Sequence, residues 1–196
     1  MKVVFARHGE SEFSARGALN GDPTVPVGLT SAGIEQARAL GTALAAEQFG
    51  LCVTTEFPRT RETADEALRG RDIPRVVVPE LNDPRYGPYE GAQIEDYRNW
   101  AAAASSGDTP GAGGESRYAI VERYASAYRW LLDRPEGSIL VVAHSLPIAY
   151  ALHARAGKPP EARVPLAEYA TAYPFTALEL RRTAITLEYW LAAPSW

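Results

Sequence analysis

The amino-acid sequence predicts an α/β fold, a three-layer sandwich in which a mostly parallel central sheet carries helices on both faces, as a single domain over residues 1–196. Three observations carry that expectation. Short apolar runs alternate along the chain with segments of helical apolar spacing, the pattern that parallel strands and crossover helices produce. Two of the runs, Val3-Val4-Phe5-Ala6 and Ser138-Ile139-Leu140-Val141-Val142-Ala143, are nearly continuous, as strands buried on both faces require. Both are followed at once by polar residues able to do chemistry, Arg7-His8-Gly9-Glu10 and His144-Ser145. In open α/β sheets, ligands bind beyond the carboxyl ends of the strands.

The elements follow in order. A strand over 2–6 leads into a long polar, glycine-rich connection. A helix from about 30 to 48 places Ile34, Ala37, Leu40 and Leu44 at helical spacing behind a Thr30 cap. Leu51-Cys52-Val53-Thr54-Thr55 reads as a β-branched strand, and Pro58 suits the first turn of a helix near 59–69. A strand near 75–79 and a helix near 91–104 come next. The stretch 101–114, rich in Ala, Ser and Gly, reads equally as a lid and as a surface connection. Glu115 opens a helix running to about Asp133, ahead of the strand 138–143. His153 falls within the apolar pattern Ile148, Leu152, Ala156 and reads as an ordinary helix residue. The runs Phe175–Leu180 and Ala184–Trp190, separated by Arg181-Arg182-Thr183, read as a terminal hairpin.

Composition bounds the function. A hydrophobic fraction of 46% and four tryptophans indicate a well-filled core. No run reaches the length of a membrane span, and the N-terminus lacks a charged region followed by an apolar signal stretch, so the expected location is cytoplasmic. Cys52, the one cysteine, reads as a small buried hydrophobe. A net charge of −4 with no basic run gives no support for nucleic-acid binding. No Cys/His cluster has metal-ligand spacing and no glycine-rich phosphate loop is present, so neither metal nor nucleotide cofactor is expected. Neither a nucleic acid nor a membrane is an expected partner, and there is room for a homodimer.

Of three histidines, two stand at strand exits. Arg7 shares the first exit, and Arg59 lies beside the free N–H groups of a helix start, where anions are favoured. Arginine binds phosphate as a planar fork, so Arg7 and Arg59 suggest a phosphate clamp. Arg61 reads as a surface charge.

The Arg7-His8-Gly9-Glu10 opening, Thr55-x-x-x-Arg59-Thr60-x-x-Thr63-Ala64, Gly114-Glu115-Ser116 and Val141-Val142-Ala143-His144 together resemble the histidine phosphatase superfamily, in the branch that contains cofactor-dependent phosphoglycerate mutases. Leu29-Thr30-x-x-Gly33-x-x-Gln36-Ala37 and Leu81-Asn82-Asp83-x-x-Tyr86-Gly87-x-x-Glu90-Gly91 extend the similarity over about residues 2 to 150. The resemblance implies phosphoryl transfer from a small phosphate ester through a phosphohistidine on His8, with Arg7, Arg59 and His144 around the phosphoryl oxygens. Where the family carries a glutamate, this chain has Asp83, the candidate general acid, with Glu80 and Glu90 as alternatives. Ser14 replaces a phosphate-donor asparagine, with Asn20 as a substitute, and Ser145 replaces a glycine after the second histidine. Glu115 keeps the family's motif and is a candidate substrate contact. The short Ala/Ser/Gly segment around 97–115 favours a phosphatase over a mutase. A phospholigand-binding module without turnover and a phosphohistidine-protein phosphatase are the other readings. Tyr86, Tyr97, Trp100, Tyr118 and Tyr169 are candidates for an aromatic substrate wall.

Overall fold

The computed structural model describes residues 1–196. Five strands, β1 (Lys2–Arg7), β2 (Leu51–Thr54), β3 (Arg75–Val77), β4 (Ser138–Ala143) and β5 (Ala172–Thr176), form one sheet in the order β3-β2-β4-β1-β5. β1, β4, β2 and β3 run parallel, and β5 closes the edge antiparallel to β1. The helices are α1 (Ser31–Ala43), α2 (Pro58–Ala67), α3 (Ile94–Ala103), α4 (Arg117–Leu132), α5 (Ser145–Arg155) and α6 (Ala177–Ala192). None is long and apolar enough to cross a membrane.

Strand alternation sorts the core into two layers. Val3, Phe5, Val53, Ile139 and Val141 pack with Ile120, Tyr124 and Tyr128 of α4, Ile148 of α5 and Leu180 and Leu187 of α6. Their neighbours Val4, Ala6, Cys52, Leu140 and Val142 face Leu40 of α1 and Ala64 and Ala67 of α2. This is why the runs are continuous: each residue has an apolar layer to meet. Burial pushes the Cys52 thiol up to about 12, in keeping with a small hydrophobe.

Thr30 caps α1, its hydroxyl accepting from Gly33 N at 3.0 Å, but the helix ends at Ala43, with Leu44 as its C-cap. The terminal hairpin is overturned, because β5 runs directly into α6. Thr176 and Glu179 form a reciprocal capping box, and Leu180, Ala184, Leu187 and Trp190 follow at helical spacing and are buried. The alternating look of Ile185-Thr186-Leu187-Glu188-Tyr189 is coincidental: Ile185 and Tyr189 are exposed on the helix's outer face. Within residues 101–114, the first three close α3 and one residue beyond it is anchored. Ser106 is buried, its N–H donating to Trp196 O and its carbonyl accepting from Tyr118 N, which ties this point of the segment to the first turn of α4 and to Trp196.

Candidate active site

The parallel register that pairs Arg7 with Ala143 places His8 and His144 at adjacent strand ends, and His8 N donates to Ala143 O at 2.9 Å. Their rings meet edge to face with centroids 5.3 Å apart. The loop after β1 is seated tightly on α1: a Cβ on Gly9 would lie 2.4 Å from Gly33 O, so only glycine allows this approach. Thr63 of α2 accepts from Gly9 N at 2.9 Å and fixes the turn from the other side.

The hydrogen bonds determine which ring nitrogens carry protons. His8 Nδ1 lies 2.7 Å from Gly9 O, and a carbonyl only accepts, so the proton is on Nδ1. Nε2 is left with its lone pair, to which Arg59 Nε donates at 3.2 Å. Burial, then Arg59, His144 and Arg7, push His8 well below the ordinary imidazole value. Asp83 Oδ2 lies 3.1 Å from His144 Nδ1, and His144 Nε2 lies 2.9 Å from Thr55 Oγ1. The neutral ring therefore donates to the carboxylate and accepts from the threonine. Burial brings His144 down to about 4, although Asp83 opposes it.

Arg59 is the hub. Buried in the first turn of α2, its guanidinium lies 4.1 Å from the Phe57 ring centre. It donates from Nη1 to Asn20 Oδ1 at 2.6 Å, and from Nη2 to Asn20 O at 3.0 Å and Asp83 Oδ2 at 2.7 Å. Burial raises the Asp83 pKa, but His144, Arg59 and His8 outweigh it and hold the carboxyl well below its usual range. Arg7 stacks 3.8 Å from the Tyr169 ring centre and donates from Nη1 to Ala167 O, leaving a buried Nε without a partner. The free N–H groups at the starts of α2 and α5 flank the same space.

Ligand atoms of His8, Asp83 and His144 lie within 4.8 Å of one another, close enough to share a metal ion. Arg59 already occupies their midst, at 3.2 Å from His8 Nε2, 2.7 Å from Asp83 Oδ2 and 3.3 Å from His144 Nδ1. A cation there would meet a buried guanidinium, so these donors suit an anionic oxygen cluster and not a metal.

The other expected site residues divide. Ser14, Asn20 and Ser145 line the cavity with Arg7, His8, Arg59 and Asp83. Ser14 is bonded to Ser11, Asn20 holds Arg59, and Ser145 Oγ accepts from Ala167 N at 2.8 Å. Of the three candidate acids, only Asp83 lines the cavity. Glu80 is exposed, and Glu90 accepts from Gly21 N and Tyr86 N as a loop brace. Tyr86, Tyr97 and Tyr169 line the cavity, whereas Trp100 and Tyr118 lie behind it. Further lining comes from residues 162–169, of which only Tyr169 is signalled by the sequence; the segment is tied to α3 by Arg98 Nη2 donating to Val164 O and by the Arg163–Glu95 pair.

Glu115 does not reach the cavity, a correction with a clear cause. Its carboxylate accepts from Arg123 Nε at 3.0 Å and from Arg85 N at 2.8 Å. Arg123 in turn donates to the carbonyls of Glu80, Asn82 and Asp83 at 2.8, 2.7 and 3.2 Å. The pair thus braces the segment that presents Asp83. Arg123→Met is expected to lower kcat on alkyl phosphates roughly 10–100-fold with KM little changed, since small misplacements of an acid cost about that much. A change confined to KM would assign Arg123 to binding instead.

Two buried histidines held neutral also make stability depend on pH. Below 6.5 the unfolded chain takes up protons that the native site resists, so stability is lost as pH falls towards about 4. The slope is about 1.4 kcal/mol per histidine per pH unit. Urea unfolding midpoints measured from neutral pH down to pH ~5 should fall accordingly. A flat series would mean that the native site protonates as readily as free imidazole.

Two neutral histidines, a buried arginine fork and a carboxylate at the strand ends of an α/β sandwich make a phosphoryl-handling site. The chain belongs to the histidine phosphatase superfamily (branch 1), whose profile matches residues 3–190. It is 32% identical, over 74% of each chain, to the adenosylcobalamin/α-ribazole phosphatase of Salmonella typhimurium. It is 34% identical, over 72% of its own length and 74% of the relative's, to a 2,3-bisphosphoglycerate-dependent phosphoglycerate mutase of a Methylobacterium species. The crystal structure of the α-ribazole phosphatase from Shigella flexneri superposes with a TM-score of 0.76 at 25% identity, covering 89% of both chains.

Proposed function

We propose that the chain is a phosphomonoester hydrolase acting on a small phosphorylated metabolite through a phosphohistidine intermediate on His8 Nε2. The support is the protonation pattern: Nδ1–H is spent on Gly9 O, which leaves the opposite nitrogen unprotonated and facing the cavity wall formed by Arg59 and Asp83. In the first step Nε2 bonds to phosphorus as the ester P–O bond breaks, and Asp83 gives its proton to the departing alkoxide. In the second, Asp83 takes a proton from water as its oxygen attacks phosphorus, and the N–P bond breaks to restore His8. Arg7 and Arg59 supply the positive charge, and His144 a further N–H donor, that phosphoryl oxygens need. His144 delivers its Nδ1 proton only by giving up Asp83, so ligand entry and release of the carboxylate are coupled.

Release of inorganic phosphate from p-nitrophenyl phosphate and from a panel of alkyl phosphates tests this reading. Turnover is expected to survive EDTA and to be inhibited by vanadate, which mimics the five-coordinate phosphoryl group. Strict dependence on magnesium would contradict it. The mutase relative makes phosphoryl return to an organic acceptor the second reading, and the stoichiometry of inorganic phosphate to ester consumed separates the two.

A further inference from the structure

Beyond the histidines, the cavity contains a cation that the chemistry above does not use. Arg117, the first residue of α4, is 5% exposed and lines the same cavity, yet its Nε and Nη1 are buried without partners. Its guanidinium carbon lies 5.2 Å from the ring centre of Tyr97, whose own hydroxyl is buried and unpartnered. The groups that bear most on Arg117 are the tyrosines 150, 97, 86 and 124, with no carboxylate among them. The other buried cations nearby do have partners: Arg59 pairs with Asp83, Arg123 with Glu115, and Arg7, although its Nε is also unpartnered, donates from Nη1 to Ala167 O. Burying a guanidinium without a counter-ion is costly and persists where a ligand supplies the missing charge. Tyr86 and Tyr97, with ring centres 4.8 Å apart, connect this corner to the wall beside Asp83.

We propose that Arg117 and the Tyr97 hydroxyl form a second subsite, which takes an anionic group, carboxylate or phosphate, on the leaving portion of the substrate. The subsite rests on the hydrolase reading only for the statement that its ligand is a substrate. A monoester bearing a second anionic group would then be anchored at both ends, its scissile phosphate among Arg7, His8, Arg59 and His144 and its far group on Arg117.

The test compares kcat/KM for ω-carboxyalkyl phosphates of increasing chain length with alkyl phosphates of matched length, and a parallel series of alkanediol bisphosphates with the corresponding monophosphates. One chain length is expected to favour the doubly anionic ester by roughly 10–100-fold, the range of one charge-assisted contact, and the two series show which anion the subsite prefers. Arg117→Met should remove that preference, and Tyr97→Phe should reduce it. Arg117→Met should also raise the Tm, since it removes an uncompensated buried charge, whereas loss of a structural contact would lower it. No preference at any length, or one retained in Arg117→Met, overturns the subsite. If no ester, p-nitrophenyl phosphate included, is turned over, the hydrolase reading fails by itself. Calorimetric binding of the two ester series to His8→Ala then reads the subsite independently: discrimination lost with Arg117→Met supports it, and equal binding of both series overturns it.

Discussion

His8→Ala is expected to abolish turnover, by roughly 10⁴-fold or more, and with it the protein-bound phosphoryl label that a rapid denaturing quench at alkaline pH should capture from the parent enzyme. The effect should be this large because Nε2 is the one unprotonated nitrogen free to bond to phosphorus: His144 is engaged on both sides, by Asp83 and by Thr55. The alkaline quench matters because the N–P bond of a phosphohistidine is stable in base and labile in acid. A single label per chain, mapped to His8 by peptide analysis, completes the result. An alanine variant retaining full activity would sink the mechanism, and a label on another residue would move the nucleophile.

Asp83→Asn is expected to slow alkyl phosphates ~10²–10⁴-fold while leaving aryl phosphates, whose phenolates depart without a proton, far less affected. The carboxyl is held low by Arg59, His144 and His8, so at neutral pH it is ionised in this arrangement. A phosphoryl dianion seated beside Arg59 and the His144 Nδ1–H would draw both away from the carboxyl and add its own repulsion, raising it towards values at which it can donate. The substrate thereby creates the acid it needs. The pH dependence of kcat on alkyl esters should accordingly show a basic limb that Asp83→Asn removes. Equal losses on both leaving-group types would instead make Asp83 a structural anchor for Arg59.

Much of this site was legible in the sequence because its parts stand where strands end. The runs before His8 and His144 are continuous for a simple reason, apolar layers on both faces, and a residue one step past such a run has to emerge at the sheet's edge. What escaped reading depends on distance in three dimensions. Glu115 and Arg123 lie eight positions apart on either side of a helix start, and nothing in their spacing shows that together they hold the backbone of 80–83. Arg117 looks like any helix-opening charge until its lack of a partner is seen. The terminal helix does carry a sequence signal, the capping-box pattern Thr176-x-x-Glu179, which competes with the strand-like alternation of Ile185, Leu187 and Tyr189.

β1 has just two neighbours in the sheet, β4 and β5, and both lie in the last third of the chain. During synthesis the strand that ends at His8 therefore precedes both partners and waits on the order of ten seconds, at ribosomal speeds, before residues 138–143 exist to pair with it. Until then Val3-Val4-Phe5-Ala6 is an apolar segment with both edges open, the kind of surface that chaperones bind and that aggregation exploits. A nascent chain ending before residue 138 has β2 and β3 to pair with each other but no partner for β1, and so no place for His8 to stand. Joining the two histidine-bearing strands therefore has to wait for the last third of the chain to be made, and it brings the core layers and the two histidines together in the same step.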